Sequence, residues 1–205
     1  MLAVAVVWAF RPVAPAEEMR VEIASAPTMD PSSLAISPDG RKIVFEVTSD
    51  GRSGLWLRSL SSVDARPLAG TDGASAPFWS PDSQSVGFFA NRRLMRIDIA
   101  TGFVQTLADP ATGQGGTWSS DGTILFSRNA IFRISAAGGE PAAVTQTKPQ
   151  SVHLTPAFLP DGHHFLYYGT GILSTEPRGI YVADIGGSEP RFLLEADAAA
   201  EYASS

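Results

Sequence analysis

Few side chains in this chain of 205 residues are of a type and spacing to do chemistry. There is no cysteine, so a transition-metal site would lean on His153, His163 and His164. Metal ligands must converge on one point. His163 and His164 are adjacent in "PDGHHFLYYG", and neighbours in a strand point to opposite faces. These histidines read as solvated or singly hydrogen-bonded, and neither a metal nor a cofactor is expected. Nucleophilic chemistry fares no better. The Gly-x-Ser-x-Gly elbow is absent, and "GRSG" (51–54) has the wrong spacing and lies in a polar loop. "ATGQGGTW" (111–118) is rich in glycine but lacks the Lys-Ser/Thr and the helix that cradle a phosphate.

"SSDGTILF" (119–126) resembles the Asp-box of sialidases only superficially. Its Asp-to-Gly spacing is one residue short, and no arginine cluster accompanies it. Trp56, Trp79 and Trp118 suggest a sugar platform, but Trp79 and Trp118 occupy a repeated core position and read as packing. No catalytic residue is assigned. The net charge of −6 argues against nucleic acid as a partner, because phosphate binding needs a basic face.

The elements that carry these residues are set by a repeat. Asp39, Asp82, Asp121 and Asp161 each stand in a turn, written "SPDG", "SPDS", "SSDG" and "LPDG", at spacings of 43, 39 and 40 residues. Proline presets the first corner of a type I turn, aspartate accepts a nearby backbone N–H, and glycine takes the exit conformation. These aspartates therefore read as structural. Three residues before each stand Ile36, Trp79, Trp118 and Phe158. After each turn, Ile43/Phe45, Val86/Phe88, Ile124/Phe126 and Phe165/Tyr167 repeat at period two, the strand signature. The residues between them, Val44, Gly87, Leu125 and Leu166, are also non-polar, so these strands are buried on both faces. A third run, a Gly-rich turn and a fourth run complete each unit. A period near 40 with four strands per unit is that of a propeller blade. The expectation is an all-β propeller of four complete four-stranded antiparallel blades, over about 31–72, 73–110, 111–149 and 150–196.

In such a blade the turns alternate between two faces. The Asp turns and Gly-rich turns share one. The loops between second and third strands, and those between blades, share the other. That second face carries the irregular segments, among them "GTGILSTEPRG" (169–179), which is longer than its counterparts. Long loops on a rigid scaffold are where binding usually lives. The candidate binding residues are Asp72, Arg92, Arg93, Gln114, His153, Glu176 and Arg178.

With "SPDG" corners and "GGEP" turns, residues of about 20–205 resemble the TolB-like and WD-repeat-like β-propellers of bacteria. The nearest resemblance is to the extracytoplasmic propellers tethered to membrane Ser/Thr kinases. It implies a ring of six or more blades, of which this chain holds four, with 198–205 starting another. Residues 1–18, "MLAVAVVWAF" and a Pro-rich linker, then read as the end of a transmembrane helix, a signal sequence, or an apolar strand. Residues 19–205 form the propeller. "MRVEIASA" (19–26) corresponds to the strand that completes the last blade in related rings, and bare end faces around Ile43, Phe45, Phe165 and Tyr167 imply self-association. Localisation would be extracytoplasmic, with membrane contact only through the N-terminal anchor. The function implied is a non-catalytic binding or sensor module for a protein, peptide or cell-envelope ligand. The alternative is a regulatory propeller of a larger enzyme, a kinase or a prolyl-oligopeptidase-like peptidase.

Overall fold

The computed structural model describes residues 33–49, 51–111, 114–171 and 174–200. The segments 1–18 and 19–26, and residues 201–205 of the expected further blade, lie outside them. Among the described residues there is no helix. Sixteen strands form four antiparallel sheets, each in simple sequence order. Blade 1 holds β1 (Leu34–Ile36), β2 (Lys42–Ser49), β3 (Arg52–Ser59) and β4 (Ala65–Pro67). Blade 2 holds β5 (Ser75–Trp79), β6 (Ser85–Ala90), β7 (Arg93–Asp98) and β8 (Val104–Ala108). Blade 3 holds β9 (Gly116–Trp118), β10 (Thr123–Arg128), β11 (Ala130–Ser135) and β12 (Ala142–Ala143). Blade 4 holds β13 (Val152–Phe158), β14 (His164–Thr170), β15 (Gly179–Asp184) and β16 (Arg191–Glu195).

The core is divided among the spaces between blades. Val44, Leu55 and Leu57 of blade 1 pack with Trp79, Val86 and Phe88 of blade 2. Phe78, Phe89 and Leu94 of blade 2 pack with Ile124, Phe126 and Ile134 of blade 3. Leu125, Ile131 and Val144 of blade 3 pack with Phe165, Tyr167 and Tyr181 of blade 4. This is why the second strands are apolar on both sides and the fourth strand, β16, is exposed throughout. Phe78 shows how close the fit is. Its ring lies against Gly87 and Gly116, where an added Cβ would come within 2.2 Å and 2.5 Å of ring carbons, so neither position has room for a side chain.

The inner strands β1, β5, β9 and β13 pack side by side in that order, and β13 makes no comparable contact with β1 among the described strands. The end faces depart from the expectation of bare second strands. Ile43, Phe45, Phe165 and Tyr167 are all buried. Exposure falls instead on Leu34 and Ile36 of β1 and on Leu193 and Leu194 of β16. Ile43 and Phe45 cluster with Val47, against which Trp56, Leu60 and Ala65 pack, and Phe165 and Tyr167 are covered by Leu125, Ile131 and Tyr181.

The repeated turns close as type I corners. Gly40, Ser83, Gly122 and Gly162 donate their N–H to the carbonyls of Ser37, Ser80, Ser119 and Leu159. Asp39 accepts from the Ser37 hydroxyl at 2.5 Å and the Arg41 N–H at 3.0 Å, and Asp82 repeats this with Ser80 and Gln84. Asp121 accepts from Thr123 N–H, and Asp161 from the N–H groups of His163 and His164. These bonds hold all four carboxyls below the usual aspartate range.

A second repeated device is visible only in three dimensions. Six residues before its turn aspartate, each of blades 2, 3 and 4 has a left-handed residue: Ala76 (φ 46°), Gly115 (φ 89°) and Thr155 (φ 46°). Ala76 and Thr155 each precede a proline and interrupt the register of their inner strand. The left-handed twist swings the N–H out of its own sheet. Ala76 N–H reaches the Ser33 hydroxyl of blade 1 at 3.0 Å, and Thr155 N–H reaches the Gln114 carbonyl of blade 3 at 3.0 Å. Near the opposite face, side chains of one blade grip carbonyls of the next: Gln105 on Ala137 at 3.4 Å and Arg133 on Ile185 at 3.1 Å.

Candidate functional site

The four inner strands line a cavity of about 1020 Å³. Its walls include Leu34, Ile36, Pro77, Trp118, Pro156 and Ala157, and none of its lining residues among those described is charged. Ala199 and Ala200, beyond the last strand of blade 4, border the same cavity. At its rim on the loop face sits Gln114, which also joins Arg92, Asn91 and Gly73 in a shallow hollow of about 410 Å³. Arg92 is held left-handed (φ 61°), and its carbonyl accepts the Ala111 N–H.

The seven candidate residues fall into three groups. Arg92 and Gln114 share the hollow, with exposed Asp72 next to Gly73 at its edge. Arg93 is turned aside and paired with Asp109 at 2.9 Å on the surface. His153 and Glu176 meet between blades 3 and 4. Arg178 lies on the outer side of blade 4, donating to the Tyr168 hydroxyl and pairing with Asp197 at 3.3 Å.

His153 departs from the sequence reading, which puts it in the polar loop 146–153. It stands in β13 and is 2% exposed. Its Nδ1 is 2.8 Å from the Thr145 hydroxyl and its Nε2 is 3.4 Å from Glu176 Oε2. The Thr145 oxygen already accepts the Ile131 N–H at 2.9 Å. One arrangement satisfies every group: Thr145 donates its proton to Nδ1, and Nε2–H points at the carboxylate. Burial pushes the imidazole below its ordinary pKa of 6.5, with Glu176 opposing, so the ring is neutral at pH 7. The ring also packs on Tyr167, centroids 4.5 Å apart, and Tyr167 stacks on Tyr181 at 5.2 Å. With both nitrogens engaged and no exposed face, His153 is no general base. It anchors the loop that brings Glu176 back to the blade.

His164 stays on the surface and its ring makes a single hydrogen bond, Nδ1 lying 2.6 Å from its turn aspartate, Asp161. Trp79 is buried and donates to the Ala35 carbonyl at 2.9 Å, and both it and the half-buried Trp118 border the central cavity. Among the described residues, no three His, Asp or Glu side chains are placed to hold a metal. Sequence reasoning missed Thr145 and Tyr167 as partners of His153, Tyr181 stacked behind Tyr167, and also the left-handed residues of the inner strands. Only the prolines at 77 and 156 signalled the latter.

No family model matches the chain. An uncharacterized protein of Agrobacterium fabrum is 29% identical over 129 residues, 57% of this chain and 42% of that protein. Among solved structures, TolB from Acinetobacter baumannii superposes with a TM-score of 0.70 at 19% identity, covering 82% of this chain and 44% of that one. A protein assigned as TolB from Agrobacterium tumefaciens gives 0.67 at 20% identity, covering 78% and 63%. An acylaminoacyl peptidase gives 0.58 at 19% identity, covering 83% and 34%. This chain therefore spans less than two thirds of the length of each of these proteins. At these identities the likeness speaks of fold alone, and the fold is that of a β-propeller built of four-stranded antiparallel blades.

Proposed function

We propose that this chain is a non-catalytic recognition module that takes an uncharged segment of a protein or peptide at the loop-face mouth of its central cavity. The observation that carries the reading is the charge-free lining of that cavity, about 1020 Å³ in volume. A ligand segment entering it leaves no charge unpaired, and charged residues on the loops, Arg92 and Asp72, stand outside to select the flanks. Binding sites of this kind are concave and mostly apolar, with a few polar groups at the edge. The TolB-like resemblance supports a protein ligand and an extracytoplasmic location. The exposed apolar residues of β1 and β16 support these four blades being an arc of a larger ring, in which 198–205 begins the next blade. Membrane tethering through residues 1–18 and attachment to a kinase belong to the same proposal.

The test places a photo-crosslinking residue at Gln114 or Trp118, and as a control at Asp64 on the opposite face, in cell-envelope extract. The same partner captured from the first two sites and absent from the third supports the reading. Equal capture from both faces, or none at the mouth, refutes it. A second reading, a propeller domain regulating a larger peptidase, is favoured by the acylaminoacyl peptidase likeness. It predicts a hydrolase domain encoded in the same gene.

A further inference from the structure

A second cavity, of about 680 Å³, opens between blade 3 and the outer half of blade 4. It exists because β12 is only two residues long, Ala142 and Ala143, and leaves the flank of β15 and β16 uncovered. Its lining includes Tyr167, Tyr181 and Phe192, with Glu176 from the long loop. We infer that this slot is a binding site for a compact organic cation of the alkylammonium class, distinct from the central cavity.

Three observations converge. The first is the carboxylate. The Glu176 side chain is 13% exposed, and its one close partner among the described residues is His153 Nε2, at the long distance of 3.4 Å. That ring is neutral near pH 7, as its burial dictates. A charge withdrawn from water is costly unless a counter-charge meets it. Lys148 lines the same slot but makes no ion pair with Glu176 among the described contacts. The second is the aromatic wall. Tyr181 stacks on Tyr167 at 5.2 Å and meets the Phe192 ring at 5.2 Å and 69°, and Phe192 is the exposed ring of the three. Ring faces attract cations, more so where water is scarce. The third is the balance of charge. The lining holds Glu176 and Glu189 against Lys148, an excess of one negative charge. An anion would be repelled by Glu176. A neutral apolar guest would dry the carboxylate without pairing it. A cation with an apolar shell satisfies both the acid and the rings.

Nothing on the cation selects between a free quaternary ammonium and a lysine side chain, which share this chemistry. The test uses the full chain and follows tyrosine ring resonances by NMR during titration. The probes are choline, its neutral isostere 3,3-dimethylbutan-1-ol, and N-acetyl-lysine amide. Choline or the lysine amide should bind at least about tenfold more tightly than the alcohol, and the stronger of the two names the source. Glu176→Gln keeps the shape of the loop and should weaken cation binding about tenfold while leaving the alcohol unaffected. Phe192→Ala, on the exposed strand β16, should weaken it several-fold with the fold intact by near-UV circular dichroism. The inference is overturned if the alcohol binds as well as choline, if Glu176→Gln binds the cation as wild type does, or if neither cation shifts a tyrosine resonance.

Discussion

The interface between blades 1 and 2 and that between blades 3 and 4 use the same repeat positions and reach different ends. In both, a threonine hydroxyl beyond the fourth strand accepts an N–H from the first half of the third: Thr71 from Leu55 at 3.0 Å, Thr145 from Ile131 at 2.9 Å. Thr71 then gives its own proton to the Leu68 carbonyl at 2.6 Å, closing the turn on itself. Thr145 gives its proton to His153, and through that ring the bond chain runs on to Glu176. The first interface is aliphatic with Trp79 and Phe88 and needs no polar group in its middle. The second is aromatic, holds a buried imidazole and opens into a cavity. One repeat can thus serve as pure scaffold or as site, and the change rests on a few positions outside the repeated pattern.

The contrast can be broken hardest at the filled interface. Phe88 is 0% exposed, and Phe88→Ala should lower unfolding free energy by about 3–5 kcal/mol in urea melts. Phe192 lies in the open slot and is 37% exposed, so Phe192→Ala should cost less than about 1.5 kcal/mol. Equal losses would show that the slot is closed in solution. Next come the paired hydroxyls. Thr71→Val and Thr145→Val each leave a buried N–H without its acceptor and should cost about 1–3 kcal/mol. Only Thr145→Val should also move the His153 ring resonances in NMR.

The pH response of the second interface has a definite sign. Burial lowers the folded-state pKa of His153 below its ordinary value of 6.5. The unfolded chain therefore binds this proton first as pH falls. Stability from the neutral ring is complete above about 6.5 and is lost progressively below it. Thermal melts between pH 7 and 5 should fall more steeply for wild type than for His153→Gln; parallel slopes would contradict the burial. The smallest change expected is at Ser83, which holds φ 59° where the other three turns have glycine. Ser83→Gly relieves that backbone but removes the acceptor of the Asp39 N–H bond at 3.2 Å, so the net change should lie within about 1 kcal/mol.

The blades were legible because their signals are local. "SPDG", the aromatic three residues before the aspartate, and alternation after it are each contained in a few consecutive residues. Glu176 and Arg178 were singled out from loop length alone. What was not legible depends on residues far apart. "QTKPQSVH" reads as a polar loop, yet its histidine is covered by Tyr167 from the neighbouring strand and fixed by Thr145 and Glu176 from either side. No local pattern encodes that enclosure. Nor does sequence separate Ala76 and Thr155 from ordinary residues before proline, because what they accomplish is a bond to another blade.

Those left-handed residues give the ring a direction of growth. Blades 2 and 4 reach back near the central cavity, through Ala76 and Thr155, while Gln105 of blade 2 and Arg133 of blade 3 reach forward at the opposite end. The acceptors behind are interchangeable in kind: a serine hydroxyl in one case, a plain carbonyl in the other. A duplicated blade would arrive carrying its own hook and would find an eye already waiting in the unit before it. Lengthening the array by copying a stretch of about forty codons would then require no compensating change at the old junctions.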